Sequence, residues 1–214
     1  MTNDNSLIPP HGGYRKLKSF QLAQLVYDIT VYFCNLHIDR RSRTHDQMVQ
    51  AARSGVQNIA EGSVASGTSK KTEMKLTNVA RASLEELRLD FEDFLRQRGM
   101  CLWSPDHPAL KRFKGRRCAK MDEFLDWQKN ECGRTRTNTD DQGQKNKSSL
   151  SMLVGAGPCL SVLEAELAAN GALSLLNLCC YFLDRQIASQ AQAFEKEGGF
   201  TKRLYRVRTA KRGK

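Results

Sequence analysis

Between Ser69 and Gly99 the apolar residues recur at steps of three and four: Leu76, Val79/Ala80, Leu84, Leu87, Phe91 and Phe94/Leu95. That spacing places them on one stripe of an α-helix and fits no strand. Ser69 supplies an N-cap oxygen for its start and Gly99 stops its end. Glu85, Glu86, Arg88, Asp90, Glu92 and Asp93 fill the remaining positions, as on a solvated face. A helix this long with one apolar stripe has to bury that stripe against other helices, because propensity alone does not hold it.

The rest of the chain repeats the pattern. Leu17, Phe20, Ala23, Tyr27, Thr30 and Cys34 mark a helix over about 16–38. A second helix is expected over about 44–60, with Ser42 or Thr44 as N-cap and Gly62 as a left-handed C-cap. Apolar positions Leu110, Phe113, Met121, Phe124, Leu125 and Trp127 mark a further segment from Ser104 to Asn130. Cys132–Ser149 is almost entirely polar and reads as a disordered linker. Helical spacing then returns from Leu160 to Glu197, closed by Gly198 and Gly199. No sustained period-two alternation and no Asn-Gly or Asp-Gly hairpin occurs. Short connections between such helices favour antiparallel neighbours. The expected fold is therefore all-α: an antiparallel up-down four-helix bundle, for whose four places five helical segments compete, with a basic C-terminal tail. Its expected parts are a disordered N-terminus (1–13), three bundle helices (14–103), a further helix (104–131), a polar linker and loop (132–159), a long helix (160–199) and the tail (200–214). The fourth bundle place is open to either 104–130 or 163–197.

Of 214 residues, 34 are Lys or Arg and 23 Asp or Glu, a net charge of +11. Seven of those basic residues (Lys202, Arg203, Arg206, Arg208, Lys211, Arg212 and Lys214) lie after Phe200, where no acidic residue occurs. This asymmetry has two readings that the tail alone leaves open: phosphate-rich partners, RNA or DNA, or a frayed, solvated terminus. Candidate contacts are Arg40, Arg41, Arg43, Arg53, Lys70 and Lys71 near helix ends, Lys111, Arg112, Lys114, Arg116 and Arg117, and Lys202, Arg203, Arg206 and Arg208 in the tail. The basic residues are not interleaved with aromatics expected to be exposed, so contact with phosphates and not with bases is expected.

The N-terminus lacks the apolar core of a signal peptide, and the apolar run Gly171–Leu183 is too short to span a bilayer. Seven cysteines without repeated spacing give no disulfide framework. A soluble, cytoplasmic chain with no membrane partner is expected. Catalysis lacks parts: His11, His37, His45 and His107 are scattered, and no CxxC, His-Glu-x-x-His, phosphate loop or Gly-x-Ser-x-Gly occurs. The expectation is no enzyme, no catalytic residue, no metal and no cofactor. Asn58 and Glu61 share a face near the end of the second helix. A structural role, with Glu61 pairing to Arg81, is favoured there over binding.

Tyr14-Arg-Lys-Leu17, Asn58-Ile-Ala-Glu61-Gly62, Ser69-Lys70-Lys71-Thr-Glu73 and Ala80-Arg81-Ala82-Ser83-Leu84-Glu85-Glu86-Leu87 occur in that order. Together they resemble the four-helix bundle family that includes proteins encoded in intervening sequences of bacterial 23S ribosomal RNA genes and accessory proteins of diversity-generating retroelements. The segment from Ala169-Asn170 through Tyr181-Phe-Leu183-Asp184 to Gly198-Gly199-Phe200 resembles the C-terminal suffix of a longer subgroup, which implies that 163–197 is the fourth bundle helix (the long bundle helix of 160–199) and 104–130 an inserted extra helix. The resemblance implies a homo-oligomer, commonly a pentamer, with a basic surface and no catalytic residues. It implies that Asn58, Glu61, Gly62, Arg81 and Ser83 are structural. For retroelement members it implies contact with a reverse transcriptase and nucleic acid. A protein-interaction or scaffolding module is the alternative.

Overall fold

The computed structural model describes residues 8, 10–141 and 156–212, with side chains at 135–141, 156–160, 210 and 211 left aside. Among the described residues it is all-helical, with no strand. After a 3-10 turn (Tyr14–Lys16) come α1 (Lys18–His37), α2 (Arg43–Ala65), α3 (Lys70–Gln97), α4 (Pro108–Arg116), α5 (Met121–Asp141), α6 (Ala156–Glu197) and α7 (Phe200–Arg212).

The expected caps form. Ser42 Oγ accepts from the Thr44 N–H at 3.2 Å, and Ser69 Oγ from the Thr72 N–H at 3.2 Å. Gly99 and Gly198 take positive φ of 63° and 74° where α3 and α6 stop. Gly62 differs from expectation. It is not a left-handed cap, and α2 runs past it to Ala65. A side chain there would meet the Glu73 carbonyl and Leu76 Cβ at 3.3 Å, so Gly62 serves the close crossing of α2 and α3.

α2 packs on α1 and α3, and α6 packs on both α1 and α3. The α6 end is fixed by Ser19 Oγ donating to Gln186 Oε1 (2.8 Å) and by Gln190 Nε2 donating to Glu73 Oε1 (3.1 Å) and Thr77 Oγ1 (3.2 Å). Nearer its start, Asn170 accepts the Trp103 N–H (2.8 Å) and donates to the Cys101 carbonyl (2.9 Å). Between the helices lie Phe33, Leu84, Leu87, Phe91, Leu176 and Leu183, each fully buried. Phe33 meets Phe91 and Phe94 with ring centroids 4.9 and 4.6 Å apart. The helix beside α1 and α3 is thus the segment after 163 and not 104–130.

The expected single inserted helix is two. Arg117, with φ of 52°, takes a left-handed turn that ends α4. The pair adds Phe113, Phe124 and Trp127 to the same hydrophobic core, with the Trp127 indole N–H on the Ala109 carbonyl at 3.3 Å. Gly171 lets α5 approach α6, since a Cβ there would stand 2.8 Å from Phe124 and 2.9 Å from Trp127. The expected linker is also shorter at its start. Residues 132–141 continue α5, because Glu131 and Cys132 are buried and each further helical residue costs little once the helix is nucleated. The part at 142–155 lies outside the described residues, as do 1–7 and 9 of the expected disordered N-terminus. Residues 10–13 have no regular structure but are tied down, with the Gly12 N–H on the Ser63 carbonyl at 3.1 Å.

The helical run Ser161–Thr209 contains a window long and apolar enough to cross a membrane, with mean hydropathy 1.3. The expectation that the apolar run is too short considered Gly171–Leu183 alone. Some 67% of the window is buried inside the structure, as in the core helix of a folded protein.

Candidate nucleic-acid interface

The expected basic contacts fall into separate groups. Arg40 and Arg41 lie in the α1–α2 turn and Arg43 opens α2, whereas Lys70 and Lys71 open α3. The whole of α2, 23 residues or about 34 Å, stands between these two sets. The helix-end charges of one chain therefore fall into two sets at opposite ends of α2. α7 follows the end of α6 that holds Gln190 against Glu73, which is the end where Lys70 and Lys71 begin α3. Arg53 is exposed midway along α2.

Several of these cations are already engaged. Arg112 Nε and Nη2 grip the two oxygens of Glu131, whose side chain is only 6% exposed against 41% for Arg112. That bond raises the Arg112 pKa. Lys111 lies 3.2 Å from Asp106, Lys70 lies 3.7 Å from Glu73, Lys114 Nζ donates to the Pro105 carbonyl at 3.0 Å, and Arg206 donates to the Glu197 carbonyl. Arg40, Arg41, Arg43, Arg53, Lys71, Arg116, Arg117, Lys202, Arg203 and Arg208 make no ion pair with a described residue. These carry positive charge with no ion-pair partner among the described residues.

The expected tail is a helix. In α7 the half-buried residues Phe200, Arg203, Leu204 and Val207 gather on one side, and Lys202, Tyr205, Arg206, Arg208 and Arg212 are exposed. Sequence reading missed Tyr205, which is 72% exposed amid cations. The 200/204/207 spacing of apolar residues, continued past Gly199, was the available signal.

The motif residues settle differently. Ser54 and Ser83 share a hydrogen bond of 2.9 Å across α2 and α3, and Asn58 Nδ2 donates to the Ser54 carbonyl (2.8 Å) and Oγ (3.0 Å). The expected Glu61–Arg81 pair is not made. Arg81 Nε donates to Asp184 on α6, which raises its pKa, and Glu61 is exposed. Residue 81 sits on the side of α3 that meets α6, out of line with α2.

A cavity of about 450 Å³ opens between α4, α5 and α6. Trp103 stacks on His107 at its wall (centroids 4.1 Å apart) and donates its indole N–H to Glu166 at 2.8 Å. Arg112 and Glu131 line it as well. Among the described residues no group of three His, Cys, Asp or Glu converges to hold a metal. The buried cysteines are poor nucleophiles: burial, with a smaller effect of Asp90, pushes Cys34 up to about 12, and burial raises Cys179.

No family model, curated protein or solved structure matches the chain.

Proposed function

We propose that this is a non-catalytic, cytoplasmic helical-bundle protein that binds the phosphate backbone of RNA or DNA. In this reading α1, α2, α3 and α6 form an up-down four-helix bundle, and α4 and α5 are an insertion. The observation that carries the reading is α7, a helix of 13 residues with no acidic residue, whose Lys202, Arg203 and Arg208 have no carboxylate partner among the described residues. Basic side chains held on a helix neutralise phosphates and release condensed counterions, so affinity falls steeply with salt. The unpaired Arg40, Arg41, Arg43 and Lys71 add to the field. The quoted motifs support a cyclic homo-oligomer, a pentamer by resemblance, which multiplies this charge by the subunit number. They also support an accessory role beside a nucleic-acid enzyme such as a reverse transcriptase.

Fluorescence anisotropy of labelled RNA and DNA against salt tests this. The expected log–log slope is about −4 or steeper, at ~0.9 per phosphate neutralised on duplexes and ~0.7 on single strands. A flat response refutes the reading. A second reading, a protein-interaction module, is favoured by Val79 and Leu89, which stand exposed on α3, and by Leu178 and Tyr181 on α6. It predicts that deleting residues 200–214 leaves recovery of a defined protein partner from nuclease-treated lysate intact.

A further inference from the structure

α7 carries an aromatic ring in the middle of its charge. Successive residues turn by about 100° and rise by about 1.5 Å, so positions three apart are surface neighbours, offset by about 60° around the helix. Lys202, Tyr205 and Arg208 therefore form one exposed row, with Lys202 and Arg208 each about 4.5 Å along the axis from the tyrosine. Phe200, Leu204 and Val207 occupy the opposite, half-buried side.

Tyr205 is an unusual residue to leave there. Its 72% exposure exceeds that of every other exposed large hydrophobic among the described residues. Its hydroxyl makes no hydrogen bond with a described residue, because Thr209 bonds only the Tyr205 backbone carbonyl, at 3.0 Å. Lys202 and Arg208 are likewise without a carboxylate partner among the described residues. The row thus offers an exposed ring face between two cations that are unpaired among the described residues.

Ring faces bind unpaired bases by stacking, a contact that tolerates any base because every base has a π-face. A duplex hides those faces inside its own stack and offers only groove edges and phosphates. We infer that α7 is a contact for single-stranded nucleic acid, in which Tyr205 stacks on an unpaired base while Lys202 and Arg208 meet the phosphates on either side. This rests on the nucleic-acid reading above and names the kind of strand it takes. It also reverses the sequence-based expectation of contact with phosphates alone.

The test uses the full chain and three labelled probes: a uridine RNA of about twelve nucleotides, the matching thymidine DNA, and a duplex of equal length. Tyr205→Ala is expected to weaken binding to both single strands by about fivefold or more, to leave the duplex nearly unchanged, and to keep the salt slope. Tyr205→Phe, which retains the ring, is expected to bind as the wild type does. The double variant Lys202→Ala/Arg208→Ala should flatten the single-strand salt slope by about 1.4, from ~0.7 per phosphate contact. Circular dichroism checks that helix content is unchanged, as substitution of so exposed a residue should leave it. If Tyr205→Ala binds single strands as tightly as wild type, or loses as much on the duplex, the stacking contact is wrong and the phosphate reading stands. If the wild type binds none of the probes, the nucleic-acid reading fails and this inference with it.

Discussion

The crossing of α2 and α3 can be tested at Gly55, where the sign of the effect should depend on one neighbour. A Cβ at Gly55 would lie 2.6 Å from Leu84 Cδ2, 2.7 Å from Cγ and 3.3 Å from Cδ1. Leu84 is fully buried and the clash reaches its branch carbon, so a simple rotation of its methyls does not relieve it. Gly55→Ala gains about 1 kcal/mol of helix propensity but loses about 1–3 kcal/mol to overpacking, a net loss of up to about 2 kcal/mol. Leu84→Ala alone should cost about 2–5 kcal/mol through the cavity it leaves. In that background the clash is gone: the methyl added at position 55 fills part of the cavity and keeps its propensity gain. Gly55→Ala should then stabilise, by about 1–2 kcal/mol. Urea unfolding followed by circular dichroism at constant m-value measures all four proteins of this cycle. A Gly55→Ala effect of the same sign in both backgrounds would refute the packing argument.

Burial raises the Glu73 pKa, only partly offset by Lys70 and Gln190. Protonation therefore favours the folded state, and the contribution is full below about pH 4 and declines as pH rises through the raised value. Glu73→Gln should flatten unfolding stability in that window and cost less than about 1 kcal/mol at pH 7, because the amide oxygen still accepts from Gln190. Asn170→Ala removes both anchors of the Cys101–Trp103 connection on α6, at a cost of about 1–3 kcal/mol. Hydrogen exchange at the Trp103 amide should accelerate, and an unchanged rate would contradict the anchoring role. Alkylation of the native protein followed by mass mapping should modify Cys101, which is exposed, well before Cys34 or Cys179; equal rates would refute the assigned burial.

The single stripe of α3 was readable because its period is long, unbroken and bounded by Ser69 and Gly99. Segment 104–130 was less so: its apolar residues fit one helix or two, and only the left-handed turn at Arg117 separates α4 from α5. Residues 132–141 misled because a polar composition describes what a segment cannot bury, and a helix already nucleated by its buried first turns can extend through it. For the candidate interface the cations themselves were legible from charge alone. Their availability was not: Arg112 is held by Glu131, nineteen positions away in sequence, and no local pattern announces that pairing.

Helix type, the caps at Ser42, Ser69 and Gly99 and the concentration of positive charge after Phe200 were set by the sequence itself, since periodicity, cap chemistry and charge act within a few residues. Tertiary structure decided which helix completes the core, for α6 reaches α1 and α3 only through contacts such as Ser19–Gln186, 167 residues apart. It also turned Arg81 to Asp184 and away from Glu61, and left Tyr205 in solvent among cations that are unpaired among the described residues. Those outcomes depend on which faces meet once the helices pack, and that is a property of the whole assembly of helices rather than of any one of them.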